Sequence, residues 1–163
     1  MPVSNSRLTI HLQDADATER FGARLGPLLE GGMVVTLQGE LGAGKTTLAR
    51  GLLRSRGIGG PIKSPTYTLV EHYPVSSLYF YHFDFYRLTS SHEWEDAGFA
   101  DYFRDDAIVL VEWPERVAGL LGPPDLALSL SHVATGGREL SLDARSARGE
   151  RCLSALAREA AAP

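Results

Sequence analysis

The run Gly39-Glu40-Leu41-Gly42-Ala43-Gly44-Lys45-Thr46 constrains this chain more than any other feature, because it matches the pattern G-x-x-x-x-G-K-[ST]. A phosphate-cradling loop of this kind works only between a buried strand and a helix. Its N–H groups must turn inward, and the N-terminus of the helix must face the anion. The flanking residues meet that demand. Residues 33–37 are a short continuous apolar run, as in a strand covered on both faces, and from Thr46 to Leu53 the apolar spacing is helical. Gly39, Glu40, Leu41, Gly42, Ala43 and Gly44 then supply main-chain groups for ATP, Lys45 a point charge for its β- and γ-phosphates, and Thr46, followed by Thr47, a hydroxyl for Mg²⁺. Of the 16 basic residues only Lys45 and Lys63 are lysines, so a lysine at this position is not a product of composition.

The rest of the chain reads as alternating strands and helices. Residues 8–12 alternate like a half-buried strand, residues 14–29 have helical spacing, and Gly31-Gly32 ends that helix. Residues 57–66 are loop-like. Residues 67–73 and 78–84 are aromatic and β-branched, which predicts two strands forming a hairpin with its turn at Pro74. A short acidic helix over 91–103, capped by Ser90 or Ser91, precedes a buried strand at 108–111, and Pro114 opens another short helix. Strands at 126–133 and 138–142 and a helix over 148–161 complete the chain. This order predicts an α/β fold: a P-loop NTPase-like three-layer sandwich with a mostly parallel central sheet and antiparallel additions. With 163 residues, 44% of them hydrophobic, the expectation is a single domain over 1–163, its residues 1–7 flexible.

A P-loop needs a second, metal-facing carboxylate, usually from the C-terminal end of a buried strand. Glu112 ends the apolar run 108–111, and Asp84 ends the run 78–83. Glu112 is either a metal ligand or a solvated strand-end acid. Asp84 is either a second site acid or a structural partner of Arg87. Ser64, Pro65, Thr66 and Tyr67 follow the P-loop helix and form either a switch loop, with hydroxyls for Mg²⁺ or the γ-phosphate, or an ordinary proline turn. Trp94 and Trp113 read as packing residues, although Trp113, beside Glu112, would lie at the rim of such a site. The guanine-reading run Asn-Lys-x-Asp is excluded, since Asn5 is the only asparagine, and ATP is favoured. The five histidines show no metal-ligand spacing and read as packed or solvated. Arg145, Arg148 and Arg151 read as the solvated face of the last helix.

Composition narrows the setting. A net charge of −4 argues against direct capture of nucleic acid, so a role on RNA runs through a partner. Cys152 stands alone, which excludes an intrachain disulfide and suits a reducing cytoplasm. No apolar run reaches the roughly 20 residues of a membrane span.

Four blocks together carry a family resemblance: residues 39–47, 63–71, 82–87 and 111–115 are similar to the signature segments of the TsaE (YjeE) family. The resemblance covers residues 8–145, with Phe85 where the family has Leu in its Asp-Leu-Tyr-Arg run. It implies an ATPase subunit of bacterial tRNA threonylcarbamoyladenosine synthesis. Such a subunit acts with the TsaB–TsaD pair on the adenosine beside the anticodon and does not itself transfer the group. It also implies that Lys45, Asp84 and Glu112 are the catalytic residues, that Thr46 and Glu112 hold Mg²⁺, that residues 64–67 form the switch loop, and that Gly136 lies near the adenosine end of ATP. From chemistry alone, a small-molecule kinase of P-loop type and a nucleotide-gated binding module remain alternatives.

Overall fold

Burial on both faces decides which strands take the middle of the sheet. In the computed structural model, which describes residues 6–161, all six residues of β5 (Ala107–Glu112) are buried, and β2 (Val34–Gln38) is buried over Val35, Thr36 and Leu37. These two strands pair in parallel at the centre. β4 (Leu78–Asp84) adds parallel to β5, and β6 (Leu126–His132) adds parallel to β2. The outer strands are antiparallel: β3 (Val70–Val75) on β4, β7 (Arg138–Ala144) on β6, and β1 (Arg7–Leu12) on β7. The seven-stranded order is β1-β7-β6-β2-β5-β4-β3, a mostly parallel α/β sheet with antiparallel edges, as the sequence predicts.

Helices α1 (Ala15–Leu25), α2 (Lys45–Ser55) and α4 (Ala147–Ala161) send Phe21, Leu25, Leu48, Leu52, Leu153 and Leu156 into one core with Val35, Leu37, Ile108 and Leu128. On the opposite face, α3 (Ser91–Asp96) and a 3₁₀ turn at Phe99–Tyr102 place Trp94 and Phe99 against Phe83, Phe85, Val109 and Val111. Strand alternation therefore sends Phe80, His82 and Asp84 of β4 toward the α2 side, and Tyr81 and Phe83 away from it.

Several expectations change in detail. The first helix stops at Leu25, and Pro27 lies in a 3₁₀ turn at Gly26–Leu28. The helix expected over 91–103 is broken at Gly98, whose φ of +68° ends α3 and starts the 3₁₀ turn. Ser90 is its N-cap, but its side chain makes no capping bond. β3 begins at Val70 instead of residue 67. The Leu69 N–H bonds the Pro65 carbonyl at 2.8 Å and Leu69 has a φ of +68°, so Tyr67 and Thr68 belong to a turn. Pro74 is not the hairpin turn. It lies within β3, opposite Tyr79, where an edge strand tolerates a missing N–H. Arg148 is not merely solvated, because its Nη1 donates to the Gly31 carbonyl at 2.9 Å and ties α4 to the turn before β2. Of the N-terminal segment, residues 1–5 lie outside the described residues, and Arg7 pairs with Asp143.

Two glycines fix how closely α1 approaches the P-loop helix. A Cβ on Gly22 would fall 2.1 Å from the Leu48 carbonyl oxygen, and one on Gly51 would fall 2.0 Å from that of Glu19. The helix backbones therefore touch, and a methyl group forces them apart. Gly22→Ala should cost about 1–3 kcal/mol, the usual range for overpacking. In thermal unfolding that is a fall of about 2–4 °C per kcal/mol for a chain of this size. An unchanged midpoint would show that the two helices separate freely.

Candidate nucleotide site

β2 ends at Gln38 and α2 begins at Lys45, and the loop between them reverses through Gly42 at φ +81° and Gly44 at φ +108°, conformations that favour glycine. The two helix starts differ. At α1 the Asp14 carboxylate accepts the Ala17 N–H at 2.8 Å, whereas α2 has Gly44 as its N-cap and no side chain on its first amides. Those N–H groups, at the positive end of the helix dipole, remain available to an anion. Lys45 is only 5% exposed. Its Nζ donates to the carbonyls of Gly39 and Glu40 and lies 4.3 Å from the centroid of a Trp113 ring. Burial pushes the Lys45 pKa down, while the charges of Glu112, Asp84 and Glu115 act to hold it up.

The acids come from strand ends brought level by the parallel register, in which Leu37 of β2 and Asp84 of β4 both stand opposite Glu112 of β5. Glu112 is buried. The Thr46 hydroxyl lies 3.3 and 3.4 Å from its two carboxylate oxygens, and His82 Nε2 lies 2.6 Å from Oε2. Asp84 accepts the Tyr86 N–H at 3.0 Å and the Thr66 hydroxyl at 3.2 Å, and Ser64 Oγ lies 2.7 Å from Thr66 Oγ1. Burial raises the Asp84 pKa and the charge of Glu112 adds to the rise, against the Tyr86 N–H, Thr66 and His82. Arg87 stacks its guanidinium 4.4 Å from the centroid of the Tyr67 ring, while Asp84 turns to Thr66.

These groups surround a cavity of about 400 Å³. Leu41, Gly42, Gly44, Lys45, Thr46 and Thr47 line it from the P-loop side, Asp84 and Glu112 from the sheet, and Ser64, Thr66, Trp113 and Arg138 around the mouth. Gly39 and Glu40 serve as carbonyl acceptors for Lys45, Ala43 is buried beneath the loop, and Pro65 is buried behind Thr66. Tyr67 is 82% exposed. Gly136 lies in the β6–β7 turn, outside the cavity lining, and the residue of that hairpin that does line it is Arg138. The neighbouring Thr46 hydroxyl and Glu112 carboxylate are hard oxygen donors that fit Mg²⁺, an ion that takes one or two protein ligands and completes its octahedron with phosphate and water.

The family described as "Threonylcarbamoyl adenosine biosynthesis protein TsaE" matches residues 12–140. The chain belongs to the TsaE family. A tRNA threonylcarbamoyladenosine biosynthesis protein TsaE of Haemophilus influenzae is 40% identical over 154 residues, spanning 91% of this chain and 97% of that one. The TsaE of Treponema pallidum is 41% identical over 130 residues, spanning 80% and 96%. Among solved structures, Bacillus subtilis YdiB superposes with a TM-score of 0.81 at 27% identity, over 94% of this chain and 95% of that one.

Two residues at this TsaE-family site escape a reading of the sequence. His82 stands two positions before Asp84 and so shares its face of β4, a signal that strand alternation carries once the strand is known. Arg138 follows the Gly136-Gly137 turn and donates to the Ala43 carbonyl at 3.1 Å, a contact that only the pairing of β7 with β6 brings about.

The raised pKa of Asp84 has a pH consequence. A carboxyl that holds its proton more tightly when folded costs stability as pH rises from its ordinary value of 3.8 through the raised one. Asp84→Asn removes that cost while keeping an acceptor for the Tyr86 N–H. Without nucleotide or divalent metal, the variant should melt above the parent at neutral pH and the gap should close below pH 3.8. Thermal unfolding across a pH series in chelator tests this, and a gap independent of pH would rule out ionisation as its cause.

Proposed function

We propose that this TsaE-family chain binds and hydrolyses ATP with Mg²⁺ in the cytoplasm. In this role it supports the TsaB–TsaD pair in threonylcarbamoylating the adenosine adjacent to the tRNA anticodon, and it does not transfer the group itself. The observation that carries the reading is the uncapped start of α2, set beside a buried lysine and a hydroxyl–carboxylate pair. The amides after Gly42 and Gly44 orient the phosphates at the helix end. Lys45 exchanges the carbonyls of Gly39 and Glu40 for phosphate oxygens, and its charge offsets what builds up on the β–γ bridging oxygen as the P–O bond breaks. Thr46 and Glu112 would hold Mg²⁺, which would supply charge neutralisation for the phosphates. Asp84, held by Thr66 and the Tyr86 N–H, is the second acid at the cavity. With a net charge of −4, tRNA is met through the complex and not by this chain alone.

The test is phosphate release by the purified chain with and without TsaB–TsaD. Release dependent on Mg²⁺ and increased by the pair supports the reading. Appearance of a phosphorylated small molecule would make the protein a kinase, and ATP binding with no release even with partners would make it a binding module. Lys45→Met keeps the aliphatic stem but not the charge, and should slow release by about 10²–10³-fold.

The loop 64–67 supplies the coupling. Thr66 bonds Asp84 at the cavity mouth while the neighbouring Tyr67 faces solvent, so a γ-phosphate that reorders Thr66 also moves a partner-facing aromatic. A non-hydrolysable ATP analogue should therefore tighten binding to TsaB–TsaD relative to ADP by about 5- to 150-fold, with the reciprocal gain in nucleotide affinity. Thr66→Ala should reduce this gain more than it reduces nucleotide binding to the isolated chain. Equal partner affinities with the analogue, with ADP and with neither would remove the switch.

A further inference from the structure

His82 is fully buried in β4, on the same face as Phe80 and Asp84, and it is the polar member of a strand whose other middle positions are aromatic. Packing alone gives no reason for an imidazole there, since burying a polar ring costs stability unless its nitrogens are bonded. Only one nitrogen is. Nε2 lies 2.6 Å from Glu112 Oε2, while Nδ1 has no hydrogen-bond partner among the described residues.

We propose that His82 is a positioning residue for the metal-side carboxylate: its Nε2–H donates to Glu112 Oε2 and fixes that carboxylate against Thr46 before any ligand arrives. This rests on the Mg²⁺ site proposed above. The tautomer follows from the contact. With the hydrogen on Nδ1, a ring lone pair would face a carboxylate oxygen at 2.6 Å and a buried donor would be left without an acceptor, two penalties where the other tautomer carries only an unpaired acceptor. The bond also makes the two oxygens of Glu112 unequal. The Thr46 hydroxyl lies nearly equidistant from both, at 3.3 and 3.4 Å, but Oε2 also holds the imidazole at 2.6 Å, whereas among the described residues Oε1 has no partner besides Thr46. Oε1 is thus the oxygen left for the ion, and the side chain reaches it without freezing its rotors at the moment of binding.

The full-length chain tests this in two ways. Nitrogen NMR of the ligand-free, metal-free protein should show a pyrrole-type, hydrogen-bearing Nε2 for His82, with its resonance moving in Glu112→Gln; a pyridine-type Nε2, without hydrogen, would overturn the proposal. The second measurement is affinity for ATP with Mg²⁺ and in chelator. His82→Leu should lose about 10–100-fold of the Mg²⁺-dependent gain, the usual cost of removing a group that orients a metal ligand, with metal-free ATP binding near the parental value. His82→Gln, whose amide can donate from nearly the position of Nε2, should recover most of the gain. Equal losses with and without Mg²⁺, or a glutamine no better than leucine, would reduce His82 to a packing residue. If leucine prevents folding, the glutamine variant and the NMR tautomer still decide. A parental chain whose ATP affinity ignores Mg²⁺ would instead remove the proposed metal site, an outcome distinct from a wrong tautomer.

Discussion

The arrangement at the cavity depends on strand register. β2, β5 and β4 run parallel and end level, so that Leu37, Glu112 and Asp84 form one row across the sheet, and the P-loop leaves β2 directly beyond that row. A slip of one residue would turn Glu112 to the opposite face, because side chains alternate. The ladder continues past the strands: the Trp113 N–H bonds the Leu37 carbonyl at 3.3 Å, and the Phe85 N–H bonds that of Glu112 at 3.1 Å. The same Trp113 carries the indole that lies by Lys45. Trp113 takes a φ of +57° just before Pro114, a conformation uncommon outside glycine and asparagine, and the turn delivers its ring to the P-loop.

Charge in this region is arranged so that the lysine keeps clear of the acids. Two buried carboxylates face a buried ammonium, but neither bonds it directly, since Lys45 is held by main-chain carbonyls and an aromatic face. The lysine is thus kept from collapsing onto Glu112 or Asp84, a pairing that a ligand would have to break at considerable cost in a low-dielectric site. Main-chain carbonyls are neutral partners, which suits the exchange of partners proposed for this lysine.

Much of this could be read from the residues. The glycine-lysine-threonine run carries its own structural context, and the apolar stretches before Glu112 and Asp84 are strong enough to place both acids at strand ends, where the cavity gathers them with Lys45 and Thr46. What escaped depends on long-range pairing or on backbone conformations without a distinctive residue type. Leu69 adopts a positive φ with nothing in its side chain to announce it, so the turn that follows Pro65 read as strand from residue 67. Pro74 read as a turn because local propensity cannot tell an edge strand from a hairpin bend. His82 and Arg138 gain their significance from neighbours 30 and 95 positions away in the chain, Glu112 and Ala43.

The position of Pro74 also bears on how the molecule meets others. An outer strand offers a row of unsatisfied amides to any passing strand, a copy of the same chain included. On β3 the row is interrupted, because one of its six residues has no hydrogen to give. That rim is poorly suited to templating a growing stack of molecules. The exposed Tyr67 lies instead among the loops at the ends of the parallel strands, where the nucleotide-dependent contacts proposed above would be made and broken without disturbing the sheet.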